Sequence, residues 1–175
     1  MKPGIKYALA FAATIGAGHL AAIVAAPRLI MHVALSRMSQ DGKHVNQFQC
    51  GPRTTEKSRG VVRPSPDLAY ASCVYDLSGG PVRVSAAPSP DQGYVSISVF
   101  DARTDNIAVF DTAQYPQGIR FVLAMDGQEV PQGEQVVRAK FARGVVLDRR
   151  LAPTAEQFAI ADQARRANVC EAVKG

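Results

Sequence analysis

The sequence predicts a mainly β protein of the α+β class: an N-terminal transmembrane helix, then one antiparallel β-sandwich or open-barrel domain with a C-terminal helix. The chain opens on an apolar stretch, Tyr7 to Pro27, that holds no formal charge. Several short runs rich in Val, Ile and Phe then alternate with turn residues, which is typical of sandwiches and barrels. The predicted division is a membrane anchor at 1–38, a linker and loop at 39–62, and a β-rich domain at 63–175 that ends in a helix at about 154–169.

The apolar stretch has the length of a membrane span. A helix of about 20 apolar residues rises roughly 30 Å, which matches the hydrocarbon core of a bilayer. The run exceeds the roughly 7–15 residues of a signal-peptide core. Its best cleavage pattern, Val24-Ala25-Ala26, is followed by Pro27, which suits a protease subsite poorly. These points favour an uncleaved anchor, with a cleaved signal peptide or a buried soluble helix as the alternatives.

The flanks of this stretch bear on its orientation and its partners. Lys2 and Lys6 precede it, and a similar number of basic residues follow it. The positive-inside rule therefore gives almost equal weight to the two membrane orientations. A short N-terminus before one anchor favours a C-terminal domain outside the cytoplasm. Small residues at four-residue spacing, Ala12-Gly16 and Gly18-Ala22-Ala26, favour a homodimer through the membrane helix.

The basic pI of about 9.3 does not indicate nucleic-acid binding. Of the 20 Lys and Arg residues, four belong to the anchor, so 16 remain against 15 acidic residues. The domain is nearly neutral and shows no basic stripe, which excludes a nucleic-acid partner. Two arginine pairs, Arg149-Arg150 and Arg165-Arg166, are interpreted as solvated faces.

Turn residues and the alternation of apolar with polar residues predict the linker and the strands. Residues 40–63 are polar and punctuated by glycine, with a short helix near 45–48. Ser78-Gly79-Gly80-Pro81 predicts a hairpin between the first two strands. Val95, Ile97 and Val99 alternate with serines and predict one buried strand face. The predicted strands are 69–77, 82–86, 94–101, 107–111, 118–125, 135–141 and 144–149.

The C-terminal helix and the cysteines are linked predictions. Thr154 with Gln157 makes a capping box at the helix start. Three cysteines show no metal-binding spacing, and in an oxidising compartment two of them would pair. A Cys73–Cys170 bridge would attach the helix to the sheet and is the preferred pairing, with Cys50–Cys170 as the alternative. In a reducing compartment all three would be small buried apolar groups.

The block from Val61 to Asp111 resembles the domain-of-unknown-function 1254 family. The resemblance rests on an Arg-Pro-x-x-Asp-x-x-Tyr opening, a strand ending Asp-Leu, a Gly-Pro turn and a later aromatic strand leading to Thr104-Asp105-Asn106, which fits the Thr-x-Asn of family members. The chain is similar to the short, membrane-anchored members found in alphaproteobacteria. Longer members join this domain to a second one, which this sequence does not contain. The resemblance supplies no reaction and no catalytic residues.

This resemblance implies a mostly β domain in the cell envelope. With the anchor, it leads us to expect a single-pass protein of the bacterial inner membrane whose C-terminal domain is periplasmic. The expected partners are the lipid bilayer and a companion envelope protein that resembles the second domain. No cofactor is expected.

Arg63, Asp67 and Tyr70 are the candidate ligand-binding residues. Prolines fix the course of this loop and bias the residues before them toward extended conformations. A rigid loop that presents a cation, a carboxylate and a phenol would bind a small polar ligand. The structural alternative is that Asp67 caps a turn, Arg63 pairs with it and Tyr70 closes the core.

The remaining motifs give little chemistry. Asp101 and Asp105 offer oxygen donors, but their spacing lacks the pattern of a calcium loop, so no metal site is predicted. No nucleophile elbow, zinc helix or phosphate loop occurs in the sequence. The favoured function is therefore a binding or structural role in the envelope. The alternative is an enzyme that acts on a small polar molecule through Arg63, Asp67 and Tyr70.

Overall fold

The computed structural model describes residues 3–59 and 63–173, which form a long N-terminal helix, two β-sheets and a short second helix. Lys2 lies outside the described residues. So do residues 60–62, which end the predicted linker and include Val61 and Val62, the first two residues of the family-like block. The elements are α1 (Pro3–Met38), β1 (Phe48–Cys50), β2 (Leu68–Asp76), β3 (Val82–Ala86), β4 (Val95–Asp101), β5 (Asn106–Asp111), β6 (Ile119–Met125), β7 (Val136–Ala139), β8 (Arg143–Leu151), α2 (Ala155–Arg165) and β9 (Val169–Ala172).

The strands form two open sheets and not a closed barrel. The first sheet has the order β1-β2-β8-β4-β5, and its neighbouring strands are antiparallel. The second has the order β7-β6-β3-β9, in which only the β6–β7 pair is parallel. The predicted class, an N-terminal helix followed by a β-rich domain with a helix near its end, is confirmed.

The main core lies between the two sheets. Ile97 and Val99 of β4 are fully buried there. The predicted strand is thus present, but Ser96 and Ser98 on its other face are buried too, so both faces of β4 are covered. Phe121 and Leu123 of β6 contribute from the second sheet and are also fully buried. Because directly paired residues share a face of a sheet, the neighbouring strands add their side chains to the same layer.

A disulfide bond joins Cys73 of β2 to Cys170 of β9, with the two sulfurs 2.04 Å apart. The first cysteine belongs to one sheet and the second to the other, so the bond links the two layers covalently. Cys50, at the end of β1, is a half-buried free thiol, and burial raises its pKa.

The predicted hairpin between the first two strands is wrong. β2 pairs with β1 and β8, whereas β3 pairs with β6 and β9 in the other sheet. The turn at residues 78–81 therefore carries the chain from one layer to the other. Gly80 takes a φ of 128° in this turn, a conformation that side chains rarely adopt.

Two further local predictions differ from the structure. Residues 45–48 form no helix: Val45 makes a bridge to Val74, and β1 begins at Phe48. The predicted helix at 154–169 is α2, which ends at Arg165, and Val169–Ala172 pair with β3 instead. The helix start is as predicted, because Thr154 and Gln157 form the reciprocal capping box.

Helix α1 joins the apolar stretch to the β domain without a break. Its apolar side chains are exposed through most of its length, with Phe11 and Leu20 at 69% and 65%. Near its end, Met31, Ala34 and Leu35 are buried against Val74 and Val145 on the outer face of the first sheet. The last turns of α1 are thus part of the domain. By length and hydropathy the helix fits a membrane span, and a signal sequence would pass the same test.

Gly144 of β8 lies where the neighbouring strands leave no room for a side chain. A Cβ atom there would lie 2.2 Å from the Phe100 carbonyl oxygen and 2.3 Å from the Tyr75 hydroxyl. Because the nearest atom is backbone, Gly144→Ala is expected to lower the free energy of unfolding by about 3 kcal/mol. Urea unfolding of the detergent-solubilised full chain measures this. Gly79→Ala, which meets nothing within 4 Å, is the control, and an equal effect of both substitutions would contradict the prediction.

Candidate functional site

The loop that carries Arg63, Asp67 and Tyr70 is held mainly by its own contacts. The Tyr70 hydroxyl accepts a hydrogen bond from the backbone N–H of Ser65 at 2.9 Å, and the N–H of Asp67 donates to Ser65 Oγ. Arg63 and Asp67 are exposed, and no ion pair joins them among the described residues. The structure thus uses Tyr70 to hold the loop and leaves the two charged side chains at the surface.

Asp101 shapes the turn between β4 and β5. Its side chain is buried, and Oδ1 accepts hydrogen bonds from the backbone N–H groups of Arg103 at 2.7 Å and Asp105 at 3.1 Å. Asp105 itself is exposed. In the part of the chain that the structure describes, no three His, Cys, Asp or Glu side chains are grouped for a metal ion.

A polar cluster is buried where α2 covers the end of the sandwich. Asp148 and Arg150 of β8 are both fully buried, and Arg150 Nε lies 2.9 Å from Asp148 Oδ2. Asn168 completes the cluster: its amide donates to Asp148 at 2.7 Å and accepts from Arg150 at 2.9 Å. Burial raises the pKa of the Asp148 carboxyl although the Arg150 guanidinium lies beside it. Two fully buried charges offer no surface to a substrate, so the cluster is structural.

Arg165 is a second buried arginine and ties α2 to the first sheet. It donates to the carbonyl oxygens of Tyr70 and Gly51 and pairs with Asp162 one turn earlier. The prediction that the two arginine pairs form solvated faces is therefore wrong for Arg150 and Arg165. Arg166, at 67% exposure, is the member of its pair that faces solvent.

The Asp162 carboxylate, which pairs with Arg165 and Arg166, makes the stability of the fold depend on pH. Burial opposes ionisation, but hydrogen bonds from Arg165 and Arg166 outweigh it and lower the pKa of Asp162. The Asp162 carboxyl therefore binds a proton less tightly in the folded state than in the unfolded chain. The stability that its two ion pairs contribute is complete above about pH 5 and is lost as pH falls further. We expect Asp162→Asn to unfold more easily at pH 7 and to lose less stability between pH 6 and 3. Urea unfolding across that range measures it, and an unchanged pH profile would contradict it.

A cavity of about 640 Å³ lies where α1 meets the β domain, and we call it the α1 cavity. One wall is the last part of α1 and the turn that follows it. The opposite wall comes from the β4–β5 turn, the segment between β7 and β8, and the first residue of β8. Both walls carry basic and apolar side chains: Arg28, Met31 and Leu35 come from α1, and Arg103, Phe141 and Arg143 come from the opposite wall.

Carboxylates balance only part of the positive charge that the arginines give the α1 cavity. Arg143 Nε lies 3.5 Å from Asp76 Oδ2, and both groups are partly exposed. Asp41 also lines the cavity and accepts a hydrogen bond from the Ser36 hydroxyl. Three arginines against these two carboxylates leave a net positive charge, so the cavity favours an anion.

Sequence reasoning missed both the buried cluster and the α1 cavity. The cavity residues come from three segments that are far apart in the chain, and no spacing rule connects them. One signal was present: Arg28 is the first charged residue after the apolar stretch. For the cluster, Asp148 and Arg150 fall on the same alternation phase as the buried Val146, which marks them as inward-facing.

The comparisons with known proteins give the family and the fold. The model of the family described as "Protein of unknown function (DUF1254)" matches residues 45–171. Among curated proteins, none matches the chain. The VPA0106 protein from Vibrio parahaemolyticus superposes with a TM-score of 0.68 at 18% identity, over 87% of this chain and 37% of that one. A putative uncharacterized protein from Burkholderia cenocepacia gives 0.42 at 18% identity, over 70% and 37%. The chain thus spans little more than a third of either structure.

Proposed function

This chain belongs to the DUF1254 family, whose function is unknown, and we propose that it is a single-pass inner-membrane protein with a ligand-binding β domain in the periplasm. The observation that carries the proposal is the continuity of α1. The same helix presents exposed apolar side chains along most of its length and then packs onto the first sheet. Anchor and domain thus form one unit.

The dimensions of α1 support this arrangement. Its 36 residues rise about 54 Å, whereas the hydrocarbon core of a bilayer measures about 30 Å. A span near the N-terminus therefore leaves the last turns above the membrane, where Met31, Ala34 and Leu35 are buried in the domain. An exposed apolar surface of this extent needs lipid or a partner to cover it.

The disulfide supports a periplasmic domain. Disulfide bonds persist in oxidising compartments such as the bacterial periplasm and are rare in the cytosol. The Cys73–Cys170 bond connects the two sheets and is therefore part of the folded domain.

A binding role is proposed because the charged cavity is open, whereas the buried cluster has no access to solvent. The α1 cavity places three arginines and several apolar side chains around a space large enough for a small ligand. No observation favours the alternative of an enzyme that acts through Arg63, Asp67 and Tyr70. Association with a second copy or a companion protein remains part of the proposal.

Membrane fractionation tests the anchor. The full chain, expressed in a bacterial host, is expected to stay in the membrane after an alkaline carbonate wash and to retain its N-terminus by intact mass. Leu20→Arg places a charge in the middle of the apolar stretch, at a cost of about 3 kcal/mol, and is expected to reduce retention. Leu151→Arg, on an exposed β8 residue, is the matched control. Release of a chain that lacks its first residues into the soluble fraction would overturn the proposal.

Thiol labelling tests the orientation. Ser78 lies in the exposed turn after β2, and Ser78→Cys in a Cys50→Ala background provides one accessible thiol. A membrane-impermeant maleimide is expected to label it in cells whose outer membrane alone is permeabilised. Labelling only after the inner membrane is lysed would place the domain in the cytoplasm. Chemical cross-linking of the same membranes reports a homodimer or a companion.

A further inference from the structure

We propose that the α1 cavity binds the phosphate of an anionic phospholipid headgroup. The inference rests on the proposed function, because it requires α1 to lie in a bilayer with the cavity at its surface. It adds a ligand class and a set of binding residues: Arg28, Arg103 and Arg143 for the phosphate, and Phe141 with Met31 and Leu35 for the adjoining part of the lipid.

The depth of the cavity matches the headgroup layer. Arg28 is the first charge after the apolar stretch, and its guanidinium donates to the Val24 carbonyl one turn back. From Arg28 to Ser36 the helix rises about 12 Å, and this stretch forms one wall of the cavity. The headgroup layer of one leaflet is about 5–8 Å thick, so the wall crosses it.

The charges suit a phosphate that has no cation of its own. Guanidinium groups bind phosphate through two parallel N–H···O bonds, and three of them line the cavity from three segments of the chain. Asp41 in the lining and Asp76 beside Arg143 reduce this positive charge without cancelling it. The remaining cationic charge repels a choline headgroup, which distinguishes anionic from zwitterionic lipids.

The apolar side chains in the lining indicate a lipid as the source of the phosphate. Met31 and Leu35 contribute apolar side chains from α1, and Phe141 contributes one from the opposite wall. The Arg103 guanidinium carbon lies 6.0 Å from the centre of the Phe141 ring, so this side chain holds a cation over an apolar surface. A soluble phosphate would contact the arginines alone, whereas the glycerol and the first acyl carbons of a lipid would also contact Phe141 and the parts of Met31 and Leu35 that line the cavity.

Native mass spectrometry of the detergent-solubilised full chain tests the proposal. Phosphatidylglycerol and phosphatidylcholine are added at matched concentrations, and phosphatidylglycerol is expected to bind at least tenfold more tightly. Arg103→Gln/Arg143→Gln changes two exposed side chains and is expected to remove that preference. Arg120→Gln/Arg166→Gln removes the same charge elsewhere on the surface and is expected to keep it. Circular dichroism verifies that each variant is folded, and Arg103→Gln alone serves if the double variant is not.

Three results would overturn the proposal. The first is equal binding of the two lipids to the wild-type chain. The second is unchanged phosphatidylglycerol binding in the folded cavity variant. The third is binding of soluble glycerol phosphate as tight as that of phosphatidylglycerol, which would make the ligand a free phosphate. Because lipid binding is measured in detergent, it is independent of the carbonate wash: loss of membrane retention would overturn the proposed function, whereas retention without lipid preference would overturn only this inference.

Discussion

Arg150→Met is expected to lower the free energy of unfolding by about 3 to 5 kcal/mol, because it leaves the fully buried Asp148 without its cation. The carboxylate would keep one hydrogen bond, from the Asn168 amide. A buried charge that loses its partner costs far more than an exposed one, since water cannot replace the lost interaction. Urea unfolding of the full chain in detergent at pH 7 measures the change.

Two further variants show whether charge is the cause. Asp148→Leu/Arg150→Met removes both ions and is expected to regain most of the loss. This follows because Asp148 Oδ1 and Arg150 Nη1 have no hydrogen-bond partner within residues 3–59 and 63–173, so the ion pair is incompletely satisfied. Arg166→Met, at an exposed arginine, is expected to change stability little. If the double variant were as unstable as Arg150→Met, lost packing and not the unpaired charge would be the cause.

Loss of the Cys73–Cys170 disulfide is expected to reduce stability by about 4 to 5 kcal/mol. The two residues are 97 apart in sequence, so the bond restricts a large part of the unfolded chain. Cys73→Ala/Cys170→Ala removes it, and urea unfolding with and without reductant measures the effect. The oxidised wild type is expected to be the most stable species, and the reduced wild type is expected to match the double variant.

Cys50→Ala is the control for this experiment. Cys50 is free and half-buried, so its replacement is expected to preserve the sensitivity to reductant. A chain whose unfolding does not respond to reductant, with or without Cys50, would show that the bond adds nothing to stability.

Local signals in the sequence were sufficient for most of the elements. The alternation of Val95, Ile97 and Val99 predicted the strand β4, although not the burial of its serine face, and Thr154 with Gln157 predicted the start of α2. Both depend on residues that are neighbours in the chain. β9 was missed because Ala-rich sequence continues a helical pattern, whereas the pairing of Val169–Ala172 with β3 depends on a strand far away in sequence.

The sites could not be predicted in the same way. Arg150 is paired with Asp148 and Asn168, and an arginine beside another arginine in sequence is usually exposed. Its burial depends on α2 closing the end of the sandwich. The α1 cavity likewise requires Arg28 and Arg143 to be neighbours although more than half of the chain separates them. Only the fold brings these groups together.

If α1 spans a bilayer as proposed, its unbroken passage into the domain has a mechanical consequence. A helix longer than the bilayer core tilts to match it, and the tilt depends on membrane thickness. Because Met31, Ala34 and Leu35 fix the helix to the first sheet, the whole β domain would lean with the helix when the bilayer thins or thickens. The angle at which the sandwich stands on the membrane would then report the thickness of the bilayer beneath it.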